Sequence, residues 1–172
     1  MENVILVTEN DQALGIMEKM EAHEKGELHR AFSIFIFNSN GEMLLQKRSV
    51  TKYHSAGLWT NACCSHPREN EETLNAAYRR LKEELGFETP IKKVFDFIYN
   101  AQFDNGLTEH EYDHVFVGRY DGIIIPNVDE VEQFKYTPMA EIKKLLLDDP
   151  AAFTAWFHIA FPKIESWYNL NN

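Results

Sequence analysis

The chain has 172 residues, of which 44% are hydrophobic and 26% are charged, so we expect residues 1–172 to form one globular domain with a sizeable core. The formal net charge of −10 argues against a nucleic-acid-binding surface, which needs clustered lysine and arginine. No apolar run reaches membrane-spanning length, and the acidic N-terminus does not resemble a signal peptide. The adjacent Cys63 and Cys64 cannot form an ordinary structural disulfide, which favours a reducing, cytoplasmic location. Nothing in the pattern indicates an obligate protein partner.

Short apolar segments separated by turns predict β-structure in the first half of the chain. Residues 4–7 and 13–17 are rich in aliphatic side chains, and the polar turn between them predicts an N-terminal hairpin. Residues 32–37 and 43–46 predict two more strands. Gly41, in the turn between these two strands, supplies the positive φ that a tight turn needs.

Two polar segments adjoin these strands. Residues 19–29 contain His23 and His29, and we assign this stretch no regular element. Residues 47–52 hold three cations, for which a solvated loop rim is the plain explanation.

Both cysteines lie in residues 59–67, where Cys64 is followed two residues later by His66. A thiol close to an imidazole can serve a metal, a nucleophile or a proton relay. A buried cysteine beside an unrelated histidine is the alternative. The pair needs support from elsewhere in the chain before it indicates a function.

Residues 70–85 have the pattern of an amphipathic helix. Asn70 is a suitable N-cap, and Gly86 is placed as the C-cap. The apolar positions that recur at helical spacing and predict the buried face are Leu74, Ala77, Tyr78, Leu81 and Leu85. The charged positions beside that face, which on an ordinary helix would form exposed ion pairs, are Arg79, Arg80, Glu83 and Glu84.

Two carboxylates open a strand that is predicted to run over residues 109–120. A strand over residues 94–99 precedes it. Because side chains alternate along a strand, Glu109 and Glu111 share one face. Their charges repel unless a cation or a shared proton compensates them, so a site is a better explanation than an ordinary surface.

The C-terminal part is predicted to contain a last strand at residues 134–136 and then a helix over 138–147. A final helical segment should start at residue 149, and Pro162 should kink or break it. This segment is rich in aromatic residues. Core packing is the plain explanation for Trp156.

Together these motifs resemble the type 1 isopentenyl diphosphate isomerases, which belong to the Nudix superfamily. The resemblance depends on residues 59–61, on the Cys64-to-Pro67 segment, on the helix end at residues 79–86 and on the Glu109-x-Glu111 pair. It extends from about Val4 to Trp156. It implies an α+β fold, specifically a Nudix-like α/β/α sandwich with a mixed central sheet and an additional N-terminal hairpin.

The general Nudix pattern is present with two departures. Ser65 stands at the first glycine, and Arg80 stands where a hydrolase has the first glutamate of its triplet. Exchanging a carboxylate for a guanidinium removes a metal ligand and adds a group that clamps anions. The departure weakens diphosphate hydrolysis as a hypothesis and favours holding a diphosphate intact. The positions that match the pattern are Glu71, Arg79, Leu81, Glu83, Glu84 and Gly86.

The resemblance implies two metal ions and a diphosphate site. One ion, Mn²⁺, Zn²⁺ or Mg²⁺, would be held by His23, His29, His66, Glu109 and Glu111, and this nitrogen-rich set leans away from Mg²⁺. A second ion, Mg²⁺, would be bound by Glu84 and the substrate's diphosphate. The cations implied to grip the diphosphate are Lys19, Arg48, Lys52 and Arg80. The interval between His23 and His29 is one residue shorter than is usual in the family.

The activity implied is a 1,3-proton shift that converts isopentenyl diphosphate into dimethylallyl diphosphate through a tertiary carbocation. Cys64 and Glu111 correspond to the family's two proton-transfer groups, which lie on opposite sides of the substrate. Tyr99 corresponds to a tyrosine near that glutamate, and Trp156 to a tryptophan whose face covers the cation. A Nudix hydrolase of a nucleoside or prenyl diphosphate and an inactive Nudix-like binding module are the alternatives.

Overall fold

The structure is a computed structural model that describes residues 2–52 and 54–171. Within these residues, nine strands form a sheet and four α-helices and one 3-10 turn accompany it. The strands are β1 (Asn3–Val7), β2 (Ala13–Glu18), β3 (His29–Phe37), β4 (Met43–Arg48), β5 (Trp59–Thr60), β6 (Cys63–Ser65), β7 (Ile91–Gln102), β8 (Thr108–Arg119) and β9 (Val131–Thr137). The helices are α1 (Lys19–Lys25), α2 (Thr73–Leu85), α3 (Met139–Asp148) and α4 (Ala155–Asn171), and the turn is Pro150–Ala152.

The sheet is mixed, as the resemblance implies. β3 lies parallel to β8, with His29 opposite Glu111 and Phe37 opposite Arg119. The other strand pairs are antiparallel, including the β1–β2 hairpin at the N-terminus. β3 is therefore the central strand, with β8 on one edge and β6 on the other.

Helices cover both faces of the sheet. Alternate residues of β3 point to opposite sides, so Phe32 and Ile34 pack with α2 residues such as Leu81. Phe35 joins a second core with Phe157 of α4. The arrangement is the expected α/β/α sandwich.

Helix α1 was not predicted, and it matters for the site. The carboxylate of Glu18 accepts a hydrogen bond from the backbone N–H of Glu21 at 3.0 Å and caps the first turn. Gly26 closes the helix in the left-handed conformation, with φ of 66°. The helix directs His23 inward, where it is buried.

Helix α2 starts later than predicted. Its N-cap is Glu72, and Asn70 has φ of 61°, a left-handed conformation that does not suit the extended backbone of an N-cap, so the prediction for Asn70 was wrong. Leu74 is 39% exposed, so it lies outside the buried face. Gly86 is confirmed as the C-cap, with φ of 73° and its N–H bonded to Lys82 O at 3.0 Å.

The last helix also differs from the prediction. Residue 149 precedes a 3-10 turn, and α4 begins at Ala155. Pro162 lies inside α4 without ending it. The buried Phe161 and Ile164 anchor this part of the helix in the core, and that packing offsets the backbone hydrogen bond that proline cannot make. No helix in the described ranges is both apolar and long enough to cross a membrane.

Candidate active site

A cavity of about 350 Å³ opens at one end of β3 and β8 and gathers most of the predicted site residues. The predicted residues that line it are Lys19, Arg48, Lys52, Cys64, His66, Arg80, Tyr99, Glu109, Glu111 and Trp156. Three predicted residues, His23, His29 and Glu84, are buried and lie outside this lining. Lining residues that the sequence analysis did not single out include Glu2, His54 and Glu130.

Three imidazoles and one carboxylate form a compact cluster beside the cavity. One ligand atom each from His23, His29, His66 and Glu111 lies within 4.8 Å of the other three. His66 Nε2 is 2.9 Å from Glu111 Oε1, and the rings of His23 and His29 are 4.9 Å apart between centroids. The short interval between His23 and His29 therefore does not keep the two rings apart.

A second group shares His23 with the first. It consists of His23, His54 and Glu109, whose ligand atoms also lie within 4.8 Å of one another. His54 Nε2 is 3.3 Å from Glu109 Oε1. His54 was not among the residues predicted from the sequence. The signal available was a histidine between the cation-rich segment and Trp59, and a loop histidine alone does not indicate a ligand.

The outer nitrogens of two clustered histidines face backbone carbonyls. His23 Nδ1 is 2.6 Å from Lys19 O, and His29 Nδ1 is 2.8 Å from Glu27 O. Protons on these nitrogens leave the Nε2 lone pairs directed into the cluster, as in metal-bound histidines. The buried His29 Nε2 has no hydrogen-bond partner among the described residues. The donor set therefore fits a divalent transition metal.

The two carboxylates of β8 have opposite pKa shifts. Burial, and then the charge of Glu111, raise the pKa of Glu109 well above its ordinary value. Burial opposes ionisation of Glu111 as well, but the imidazoles of His29 and His66 beside it outweigh that effect and hold the Glu111 pKa well below the usual range. The Tyr99 hydroxyl donates to Glu111 Oε2 at 2.5 Å and lies 3.1 Å from Glu109 Oε2. A cation would relieve the repulsion between these two carboxylates.

Three buried histidines of the two groups, His23, His54 and His66, are neutral near pH 7. Burial is the main cause that lowers the pKa of His66 to about 4 and the pKa of His54 to about 3. Burial lowers the pKa of His23 too. Neutral imidazole is the form that binds metals.

Cys64 and Cys63 point to opposite sides of the sheet. Cys64 donates through Sγ to Asn61 Oδ1 at 3.1 Å and lies 3.3 Å from Ser33 Oγ. Burial, and then the charge of Asp113, raise the Cys64 pKa, so the thiol is protonated at neutral pH. Cys63 is fully buried in the core beneath α2. The Ser33 hydroxyl in turn donates to Asp113 Oδ2 at 2.7 Å. Neither Ser33 nor Asp113 was predicted from the sequence to belong to the site.

The register of the sheet determines the position of Cys64 relative to Glu111. Cys64 lies opposite Ser33, and Glu111 opposite His29, on the two edges of β3. Both side chains project from the same face of the sheet, and their levels differ by four residues of β3, about 13 Å along the strand. The side chains have to lean toward each other across the cavity to reach one five-carbon chain. Their approach from opposite sides of a substrate stays a prediction.

Carboxylates already contact three of the four predicted diphosphate-binding cations. Lys19 Nζ is 3.0 Å from Glu2 Oε2. Arg80 Nη2 is 2.5 Å from Glu84 Oε1 and 3.2 Å from Glu130 Oε1, and Lys52 also pairs with Glu130. Glu84 is held from its other side by Gln46 Nε2, 3.1 Å from Oε2. It belongs to neither of the metal-ligand groups found in the described chain.

Trp156 lies between the cavity and the core. It is 3% exposed, and its Nε1 has no hydrogen-bond partner in the described part of the chain. Arg48 Cζ lies 5.1 Å from the indole centroid, within cation–π range. The ring therefore both packs in the core and presents an aromatic surface that already accepts a cation.

Comparison with known proteins assigns the class. The NUDIX domain family matches residues 27–157, and the chain belongs to it. The structure resembles DR0079 from Deinococcus radiodurans, with a TM-score of 0.76 and 19% identity over 92% of this chain and 96% of that one. It also resembles the MutT protein from Methanosarcina mazei Go1, with a TM-score of 0.66 and 18% identity over 82% and 95%. At these identities the likeness concerns the fold, and it confirms the predicted sandwich.

Curated relatives show which family with a NUDIX domain the chain belongs to. An isopentenyl-diphosphate Delta-isomerase 2 from Photorhabdus laumondii is 49% identical over 98% of both chains. An isopentenyl-diphosphate Delta-isomerase from Pectobacterium atrosepticum is 50% identical over 96% of this chain and 92% of its own. The protein belongs to the isopentenyl-diphosphate Delta-isomerase family, which confirms the resemblance found in the sequence.

Proposed function

We propose that this protein interconverts isopentenyl diphosphate and dimethylallyl diphosphate, with Cys64 and Glu111 as the proton-transfer groups. The observation that carries the proposal is the content of one cavity. A protonated thiol, a carboxylate bound to histidines and four cations all line it. A small substrate fits this cavity if its anionic head faces the cations and its apolar tail faces the thiol and the carboxylate.

The reaction is redox-neutral and needs two proton transfers. A proton delivered to the terminal alkene carbon takes up the π-electron pair and leaves a tertiary carbocation. Loss of a proton from the carbon on the other side returns an electron pair to form the new double bond. Because the reaction is reversible, Cys64 and Glu111 each act as acid in one direction and as base in the other. An unactivated alkene is a poor base, so close positioning and exclusion of water are required.

One of these two groups, Glu111, is also among the residues that would hold a metal ion. His23, His29, His66, Glu109 and Glu111 would hold Mn²⁺, Zn²⁺ or Mg²⁺, and the nitrogen-rich set favours the first two. A bound divalent ion supplies positive charge that keeps the Glu111 carboxylate in place and tunes its basicity. Tyr99 supports the same carboxylate through its 2.5 Å hydrogen bond.

The diphosphate would lie against Lys19, Arg48, Lys52 and Arg80, and Glu84 would help to hold a Mg²⁺ ion. Mg²⁺ typically binds phosphate oxygens together with one or two carboxylates. This arrangement requires the Arg80–Glu84 pair, now at 2.5 Å, to open so that Arg80 meets phosphate and Glu84 meets the ion. Trp156 then presents its ring to the carbocation, which a desolvated indole stabilises by about 2 kcal/mol.

A Nudix hydrolase of a diphosphate substrate is the second candidate. Arg80 counts against it, because its guanidinium occupies the position of a metal-binding carboxylate and forms an ion pair with Glu84. An inactive binding module is the third, and the complete constellation around the cavity counts against that.

Proton NMR of isopentenyl diphosphate in D₂O with added Mn²⁺ and Mg²⁺ tests the proposal. We expect dimethylallyl diphosphate carrying deuterium in a methyl group, and no release of phosphate or pyrophosphate. Release of either would instead support the hydrolase. Recovery of unlabelled substrate from metal-loaded, folded protein would support the binding module.

A further inference from the structure

His54 is positioned like a ligand although the family resemblance assigns it no role. It is 7% exposed and lies in the loop between β4 and β5. Its Nε2 points to Glu109 Oε1 at 3.3 Å, and Nε2 can approach the same ion as His23 and Glu109, because the three ligand atoms lie within 4.8 Å of one another. Opposite ligands of an octahedral ion, with bonds of about 2.1 Å, are about 4.2 Å apart. The group needs only a small contraction to surround an ion.

The surroundings of the His54 ring suit a ligand better than a simple ion pair. Its Nδ1 lies 3.3 Å from Ser55 Oγ, which can accept the ring proton. That tautomer leaves the Nε2 lone pair facing Glu109, an arrangement that is repulsive toward the ionised carboxylate unless a proton or a cation lies between them. Metal-bound histidines generally use their second nitrogen in this way.

Two aromatic side chains fix the orientation of the ring. Phe103 stacks on His54 with centroids 5.0 Å apart and planes at 15°. Trp156 meets it edge-on at 5.8 Å and 88°. A ring held by packing on two sides is preorganised for ligation.

The two ligand groups share His23, and Glu109 of the second group contacts the same Tyr99 hydroxyl as Glu111 of the first, so a single ion could draw both groups together. The five residues implied by the family, with His54 added, give six donors, which is the number that an octahedral ion takes. We propose that His54, through Nε2, is a sixth protein ligand of the divalent ion at the His23–Glu111 centre. His54 would then connect the β4–β5 loop, which also carries Lys52, to the metal centre.

Titration of the metal-free full-length protein with Co²⁺, against a chromogenic chelator, tests this assignment. His54→Ala and His54→Gln are compared with wild type; His66→Ala is the positive control and His158→Ala, on α4, the matched histidine control. Glutamine keeps a hydrogen-bonding group beside Glu109 but is a poor ligand. We expect one Co²⁺ per chain in wild type, at least a tenfold loss of affinity in both His54 variants and no change in His158→Ala. The visible Co²⁺ spectrum should also change in the two variants, because water replaces a nitrogen.

The possible results separate this inference from the proposed function on which it rests. Wild-type affinity and spectrum in His54→Gln, with binding lost in His66→Ala, would remove His54 from the centre and leave the isomerase proposal intact. Two Co²⁺ ions per chain would contradict the shared centre. Failure of wild type to bind Co²⁺ would refute the whole ligand set, and the deuterium assay would then judge the isomerase proposal alone. Far-ultraviolet circular dichroism confirms that each variant is folded.

Discussion

The adjacent cysteines allow a test in which one substitution affects chemistry and its neighbour affects stability. Cys64 faces the cavity and contacts Ser33 and Asn61. General acid–base groups contribute about 10²–10⁴-fold to rate, so Cys64→Ala should lower kcat by that factor. The fold and the metal affinity should be largely unchanged, because the histidine and carboxylate ligands remain.

Cys63→Ala should behave in the opposite way. The Cys63 side chain is fully buried in the core with Leu81, and burial followed by the charge of Glu84 raises its pKa, so it does not supply a thiolate. Removing a group the size of a methylene costs about 0.8 kcal/mol. A residual cavity of about 25 Å³, at about 24 cal/mol per Å³, adds about 0.6 kcal/mol. The sum of about 1.4 kcal/mol corresponds to a fall in Tm of about 3–6 °C.

Turnover by proton NMR and thermal unfolding by circular dichroism measure the two effects on the same samples. We expect a stable but inactive Cys64→Ala protein and an active but less stable Cys63→Ala protein. A folded and inactive Cys63→Ala protein would mean that the wrong thiol has been assigned. Full activity in Cys64→Ala would refute its proton-transfer role.

The remaining predictions concern Glu111, Trp156 and pH. Glu111→Gln should reduce turnover by about 10²–10⁴-fold and weaken metal binding in a chelator competition, whereas wild-type values for both would contradict its dual role. Trp156→Phe should retain a larger kcat than Trp156→Leu, because only an aromatic ring stabilises a cation; the reverse order would indicate packing alone. Metal-free protein should lose stability as pH falls from about 6.5 to 4, because the unfolded chain binds a proton at His66 throughout this window while the folded chain, with a His66 pKa of about 4, does not. His66 accounts for about 3 kcal/mol of this loss, and His54, whose pKa is about 3, adds to it. Urea unfolding measures the total, and an equally steep pH dependence in His66→Ala would exclude His66 as a source.

Much of the fold could be predicted because its elements carry strong local patterns. The apolar segments of β1 to β4 and the helical spacing before Gly86 correspond to observed elements. Helix α1 was missed because residues 19–25 have no apolar periodicity, and the carboxylate cap at Glu18 is not a usual N-cap residue. The start of α2 was misplaced because Asn70 is equally suited to a left-handed turn, which is the conformation it adopts.

The residues of the candidate site also differ in how far they could be predicted from local patterns. Residues in distinctive short motifs, such as Cys64, His66 and Glu111, can be proposed from the amino-acid sequence alone, and the structure brings these three to one cavity. Those that depend on tertiary packing cannot be proposed in this way. His54 reaches the centre only through the path of its loop and the stacking of Phe103. No local pattern encodes either feature.

The structure also explains how an acidic chain can accept an acidic substrate. Local cations alone are not the explanation, because Lys19, Lys52 and Arg80 already pair with carboxylates that include Glu2 and Glu130. Binding of a diphosphate at these residues would therefore be an exchange of partners, in which phosphate oxygens replace carboxylates on cations that are already in place. Such an exchange keeps the cations positioned without substrate and avoids burying them unpaired. The displaced carboxylates then need a new partner, and arrival of the diphosphate together with Mg²⁺ would supply one.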